Sequence, residues 1–243
     1  MQLSPDSPPA DEPLRRDRPL RAVIFDLDGT LVDSVADIHA AVVAFLAERG
    51  QPALDLATVI GFVGSGVPVL LERVLGAVGE AADAAAVQAA LPRFLEIYGA
   101  APSALSRLYP EVAETLAALR AGGLVLGICT NKPVAPARSM LADLGIADFF
   151  AALVGGDSLP ERKPDPAPLR HTAAVLGVDL AELAYVGDSE VDAATARAAG
   201  VDFLLFTEGY RKSPVEALPH RASFDRFARL PGLLAEGAAA PAA

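Results

Sequence analysis

Five short runs of unbroken apolar residues punctuate the chain: Ala22–Phe25, Leu124–Cys129, Ala152–Val154, Leu183–Val186 and Phe203–Phe206. Each gives way to small or polar residues. A strand with one wet face alternates apolar and polar positions, so these runs predict strands covered on both faces, as in a parallel sheet. Between the last four, Ala135–Leu144, Leu169–Leu176 and Asp192–Ala199 repeat apolar residues at three-to-four spacing, the period of an amphipathic helix. Strand–helix alternation predicts an α/β fold with a doubly wound parallel sheet. Ligands of such sheets gather at the carboxyl ends of the strands.

The first interval breaks this rhythm. About 98 residues separate Phe25 from Leu124, far more than a βαβ crossover needs. Segment Val35–Leu95 is Ala-rich and helical in pattern, with breaks at Gly50–Pro52 and Gly61–Pro68. The expected organisation is a core of 20–34 and 103–233, a helical insertion over 35–102 seated on the strand ends, and loose tails at 1–19 and 234–243. The N-terminal tail holds five prolines and no apolar run, unlike a secretory signal, and Asp6, Asp11, Glu12 and Asp17 oppose a transit peptide.

Composition narrows the function classes. The 243 residues include 20 Lys and Arg against 31 Asp and Glu, a formal charge of −11, with 52% hydrophobic and 21% charged residues. That balance fits a soluble globular protein and argues against nucleic acid or an anionic membrane as partner, since both require basic surface. No apolar run reaches the ~18 residues of a membrane span. The single Cys129 excludes a disulfide framework and a cysteine-based zinc site, and a reducing cytosol is the expected setting.

Acidic residues recur at predicted strand ends. Asp26-Leu27-Asp28-Gly29-Thr30 follows the first strand, and Gly29 permits a sharp turn there. Gly187-Asp188-Ser189-Glu190-Val191-Asp192 follows the fourth. Helix capping accounts for one of Asp188 or Ser189 but not for three acids in one turn. Carboxylates converging from two strand ends repel unless a cation joins them, and hard oxygen ligands in this number suit Mg²⁺. Thr130-Asn131 closes the second strand, and Lys163-Pro164 lies beyond the third. Lysine is scarce here: 17 of the basic residues are Arg, leaving Lys132, Lys163 and Lys212. Lys163 is the candidate for a compact point charge at the site, while Lys132 and Lys212 read as solvated loop charges.

A carboxylate pair, a hydroxyl, an amide, an ammonium and a metal at four strand ends serve phosphoryl transfer through a carboxylate nucleophile. In order and loop context these motifs resemble the haloacid dehalogenase superfamily over roughly Leu20–Leu233, with a Rossmann-like core. The resemblance implies that Asp26 attacks phosphorus and that Asp28 is the acid/base. It implies Mg²⁺ on the Asp26 side chain, the Asp28 carbonyl and Asp188, with Asp192 as the second acid of that motif, more often an outer partner. Thr130 and Asn131 would hydrogen-bond phosphoryl oxygens, and Lys163 would offset charge. Haloacid-cleaving members lack the second Asp, because a halide leaves without a proton, so Asp28 points to phosphate esters.

The insertion resembles the helical cap of the phosphoglycolate-phosphatase-like branch. Gly61-Phe62-Val63-Gly64-Ser65-Gly66 reads either as a plain helix–helix turn or as a substrate loop in which Gly64, Ser65 and Gly66 face a small carboxylate. It does not fit a dinucleotide fingerprint. Arg73 is a weaker candidate than that loop. Thr207-Glu208-Gly209-Tyr210-Arg211 adds to the resemblance, although Tyr210 also suits a surface aromatic. His39, His171 and His220 are scattered, and none sits in a nucleophile-elbow context. The expected function is hydrolysis of a small phosphorylated substrate, 2-phosphoglycolate first, in carbohydrate metabolism, by a monomer or homodimer. The alternatives are a sugar-phosphate mutase or a broad small-ester phosphatase of the same superfamily, and more remotely a phospho-aspartate receiver module.

Overall fold

The computed structural model describes residues 18–100 and 103–235, so most of both expected tails, and positions 101–102 at the end of the expected insertion, lie outside the described residues. The chain opens with β1 (Ala22–Phe25) and a two-residue strand, β2 (Val32–Asp33). Four helices follow: α1 (Val35–Glu48), α2 (Leu56–Ile60), α3 (Val67–Ala77) and α4 (Ala84–Ala100). A second short strand, β3 (Arg107–Leu108), pairs antiparallel with β2, so the two crossings between helices and sheet run side by side. Then come α5 (Val112–Ala121), β4 (Val125–Cys129), α6 (Val134–Asp143), β5 (Phe150–Val154) and α7 (Ala167–Leu176). The chain continues through β6 (Leu183–Gly187), α8 (Glu190–Ala199), β7 (Asp202–Phe206), β8 (Ala222–Phe224) and α9 (Leu230–Ala235).

The main sheet is parallel throughout, in the order β5-β4-β1-β6-β7-β8. All five apolar runs form strands of it. The edge strand β8 is too short and too polar to stand out in the sequence. Alternate residues of each strand face opposite sides: Val23, Phe25, Ile128 and Val186 join one apolar cluster with α5, α6 and α9. Ala22, Ile24, Cys129 and Tyr185 join another with α7 and α8. This explains why the runs are unbroken, since neither face of β1 meets water. Each large side chain fully buried there contributes about 1.5–3 kcal/mol.

The four inserted helices have a core of their own. Ile38, Ala41, Val42, Phe45 and Leu46 line one face of α1 and pack on Leu71 and Val74 of α3 and Phe94 of α4. The Phe45 and Phe94 rings meet edge to face at 5.7 Å. The second break is shorter than the pattern predicts. Pro68 falls in the first turn of α3, where a missing N–H is tolerated, so the break ends at Gly66. The helical pattern also runs on to Ala100. Buried Asp37 of α1 accepts hydrogen bonds from the backbone of Leu105 and Ser106 and from the Ser106 hydroxyl, pinning the returning chain to the outgoing one.

Candidate active site

Parallel register sets the strand ends level. Phe25 of β1 pairs with Ile128 of β4 and with Val186 of β6, and the Asp26 N–H donates to the Val186 carbonyl. Asp26, Thr130 and Asp188 therefore leave the sheet at one edge, all buried. Gly29 turns the chain there with φ +84°, and a Cβ on it would sit 2.5 Å from Asp188 Oδ2. Only glycine admits both that conformation and that closeness.

Beneath Asp26 lies a buried charge network. Lys163 Nζ is 3.0 Å from Asp26 Oδ1 and 2.7 Å from Asp192 Oδ1, and it donates to the Tyr185 hydroxyl at 2.8 Å. Tyr185 donates in turn to Asp192 Oδ1 at 2.7 Å. The other oxygen of Asp192 accepts from the Asp188 and Ser189 N–H groups and the Ser189 hydroxyl. Burial works against the charge of Asp192, but Lys163 and these hydroxyls hold it below the ordinary carboxylate value. Burial likewise opposes the Lys163 charge, and Asp192 and Asp26 outweigh it and keep the ammonium protonated.

Asp26 and Asp188 are less well served. Burial first, then Asp192, pushes Asp26 up to about 6 despite Lys163. Asp188 rises well above the usual range through burial and the charges of Asp192 and Asp26, although Thr30 Oγ1 and the Tyr210 N–H each donate to it at 2.7 Å. Asp26 Oδ1, for all its nearness to Lys163, receives no hydrogen bond of acceptable geometry. One oxygen from each of Asp26, Asp188 and Asp192 lies within 4.8 Å of the others. An orphaned buried oxygen and mutually repelling carboxylates fit a divalent cation with oxygen preference. Asp192 already accepts from five donors, against one on each oxygen of Asp188 and none on Asp26 Oδ1, so Asp26 and Asp188 are the side chains with more ligand capacity.

Asp28 belongs to a second network that bridges sheet and helices. Its Oδ1 accepts from the Ser34 hydroxyl at 2.5 Å and from Lys132 Nζ at 2.9 Å. Lys132 also donates to the Tyr98 hydroxyl on α4. Ser34 is the N-cap residue of α1, yet its side chain makes no cap bond because it serves Asp28. The Tyr210 hydroxyl takes over, accepting from the Ser34 and Val35 N–H groups and donating to Asp33.

A cleft of about 520 Å³, its solvent-open mouth included, lies between sheet and helices. Its sheet side presents Asp26, Asp28, Thr130, Asn131 and Lys132, and its helical side presents Ile38, Val63, Val67, Leu70, Phe94 and Tyr98. Gly64 and Gly66 lie at the same wall, and Ser65 lines an adjoining space with Gly64 and Asp188. Asn131 is committed on all sides: its amide donates to the Gly64 and Lys163 carbonyls and its oxygen accepts from the Lys163 N–H. Arg73 donates to the Phe62 carbonyl and so braces the loop. Burial pushes the Cys129 thiol up to about 12, which leaves it inert as a thiolate. Chemically, the arrangement offers a carboxylate nucleophile over a fixed ammonium, with a second carboxylate across a small space.

Of the residues singled out by sequence, Asp26, Asp28, Thr130, Asn131, Gly64 and Gly66 line this cavity, Ser65 and Asp188 line the adjoining space, and Lys163 and Asp192 are joined to Asp26 through the ion pairs of Lys163. Sequence reasoning missed Tyr98, Tyr185, Ser34 and the depth of Tyr210. It also misjudged Lys132, which is not a solvated charge: its side chain is 3% exposed and paired with Asp28. The scarcity of lysine, applied at Lys163, applied equally at Lys132, one residue past Thr130-Asn131.

A family model of haloacid dehalogenase-like hydrolases matches residues 20–200. The chain is 54% identical over 212 residues to a phosphoglycolate phosphatase of Cereibacter sphaeroides (strain ATCC 17029 / ATH 2.4.9), covering 87% of this chain and 96% of that one. It is 47% identical over 214 residues to a phosphoglycolate phosphatase of Rhodospirillum rubrum, covering 86% and 89% respectively. A crystal structure described as a predicted phosphoglycolate phosphatase from Haemophilus somnus 129PT superposes with a TM-score of 0.82 at 32% identity, over 88% of this chain and 97% of that one.

Proposed function

The chain belongs to the haloacid dehalogenase-like hydrolase family, and on that premise we propose that it hydrolyses 2-phosphoglycolate to glycolate and phosphate with the help of Mg²⁺. The observation that carries the reading is Asp26 Oδ1, a buried carboxylate oxygen beside Lys163 with no hydrogen-bond donor, at the floor of a cavity that Asp28 shares. The Asp26 carboxylate has two oxygens, so one can meet a cation while the other supplies the lone pair that attacks phosphorus.

Asp26 attacks phosphorus, and the bond to the ester oxygen breaks as an aspartyl phosphate forms. Asp28 gives its proton to the departing alkoxide, then takes one from the water that attacks the same phosphorus and frees Asp26 and phosphate. The Thr130 hydroxyl donates to a phosphoryl oxygen, and Lys163 offsets charge on nucleophile and phosphate. The Asn131 amide holds Gly64 against Lys163 and so positions the loop. Asp26, Asp188 and the Asp28 carbonyl would hold Mg²⁺, whose charge would offset the repulsion between carboxylate and phosphate. Asp192 positions Lys163 and Asp188 without joining the metal directly.

The helical unit 35–102 acts as a cap that excludes water. Its cavity wall of Ile38, Val63, Val67, Leu70 and Phe94 has the Tyr98 hydroxyl as its one polar side-chain group among the described residues, too little for the several hydroxyls of a sugar, which favours a short ester over a sugar phosphate. No helix among the described residues is long and apolar enough to cross a membrane, and a reducing cytosol suits the lone buried Cys129.

The test is Mg²⁺-dependent phosphate release from 2-phosphoglycolate, 3-phosphoglycerate, glucose 1-phosphate, glucose 6-phosphate and a nucleoside monophosphate. A kcat/KM at least ~10²-fold higher for 2-phosphoglycolate is expected. A flat profile would replace this reading with a broad-specificity phosphatase.

A further inference from the structure

A two-carbon phosphate ester with a carboxylate brings two anionic groups into one small cavity, and the second group needs a partner once the phosphoryl group lies over Asp26. The helical wall supplies no charged partner among the described residues. The Gly64 carbonyl turns toward Asn131 and presents an acceptor at that point of the loop. Among the described residues lining the cavity, the charged side chains are Asp26, Asp28 and Lys132, so Lys132 is the cation available. Its ammonium has three N–H groups. One donates to Asp28 Oδ1 and one to the Tyr98 hydroxyl, which leaves the third for a ligand.

We propose that Lys132 recognises the carboxylate of the substrate and is the residue that sets preference for a carboxylate-bearing ester; this rests on the 2-phosphoglycolate reading above. The geometry suits the role in three ways. Lys132 is buried, so its attraction for an anion is little screened by water. It is braced from both layers, by Asp28 below and by α4 above, with its ammonium 4.8 Å from the centre of the Tyr98 ring, so it meets a ligand already oriented. It follows Thr130 by two residues, and its N–H donates to Thr130 Oγ1 at 3.2 Å, so the phosphoryl partner and the carboxylate partner share one turn of backbone.

The experiment compares 2-phosphoglycolate with its carboxamide isostere, 2-phosphoglycolamide, in the wild type and in Lys132→Met. Both esters are assayed in one preparation, so the folded fraction cancels in the ratio of their kcat/KM values. The wild type is expected to favour the carboxylate, and Lys132→Met is expected to lower that ratio about 10²-fold, mainly through KM, as loss of a buried charge pair does. If both esters lose activity alike and the ratio stands, Lys132 only supports Asp28 and the proposal falls alone. If the wild type already shows no preference for the carboxylate, the substrate reading falls first and takes the proposal with it.

Discussion

The two walls of the cavity are built on opposite principles. The sheet wall concentrates charge: Asp26 pairs with Lys163 and Asp28 with Lys132, in the loops that follow β1, β4 and β5. The cap wall meets them with Ile38, Val63, Val67, Leu70 and Phe94. Charges buried this deeply are held in place by rigid surroundings that pair nearly all of them, which a central parallel sheet provides and a helical insertion on two short crossings does not. The difference teaches a division of labour, in which the sheet holds the reacting groups and the cap removes water and limits size. Three contacts stitch the walls together: Lys132 to Tyr98, Asn131 to Gly64, and Tyr210 to Ser34 and Val35.

Substitutions on each wall should therefore differ in kind. The largest effect belongs to Asp26→Asn, which is expected to abolish phosphate release; near-normal turnover in the purified variant would sink the mechanism. Asp28→Asn should slow turnover by about 10²–10⁴-fold, in both formation and hydrolysis of the aspartyl phosphate, as single-turnover phosphate release would reveal. Metal affinity comes next. With Asp26 pushed up to about 6, protons compete with the ion below that pH. The carboxylate must lose its proton to become a ligand, and Asp188 is raised as well, so Mg²⁺ affinity is expected to fall as pH falls, by about tenfold or more for each pH unit below 6. Titration calorimetry between pH 5 and 8 checks this, and a pH-independent affinity would contradict the buried acidic site. The smallest effect is on the cap wall. Leu70→Ala should narrow the kcat/KM preference for 2-phosphoglycolate over glucose 6-phosphate by about tenfold, with kcat for the smaller ester changed little. A loss of kcat as large as that of Asp28→Asn would mean the cap contributes to the chemical step and the division fails.

The strand ends were legible because a parallel strand buried on both faces leaves an unbroken apolar run, and polar groups just past it must lie at the sheet edge. Asp26, Asp28, Thr130, Asn131, Lys163, Asp188 and Asp192 were all found that way. The helical insertion was legible from length and period. Ser34 was not, because a serine before an amphipathic helix normally caps it, and here the cap function has passed to a tyrosine 176 residues away. Tyr98 was hidden as well: it continues the Val87, Ala90, Phe94 stripe of α4 and looks like core until its hydroxyl is seen to meet Lys132.

What the sequence by itself determined was the period of each element and the kinds of chemical group delivered to each strand end, since both depend on neighbours a few residues apart. Only the tertiary structure decided which lysine pairs with which aspartate, which carboxylate keeps an unpaired oxygen, and which tyrosine closes each network. Those outcomes depend on desolvation and on ångström-scale distances between segments far apart in the chain, such as the 104 residues between Asp28 and Lys132, and packing alone sets them.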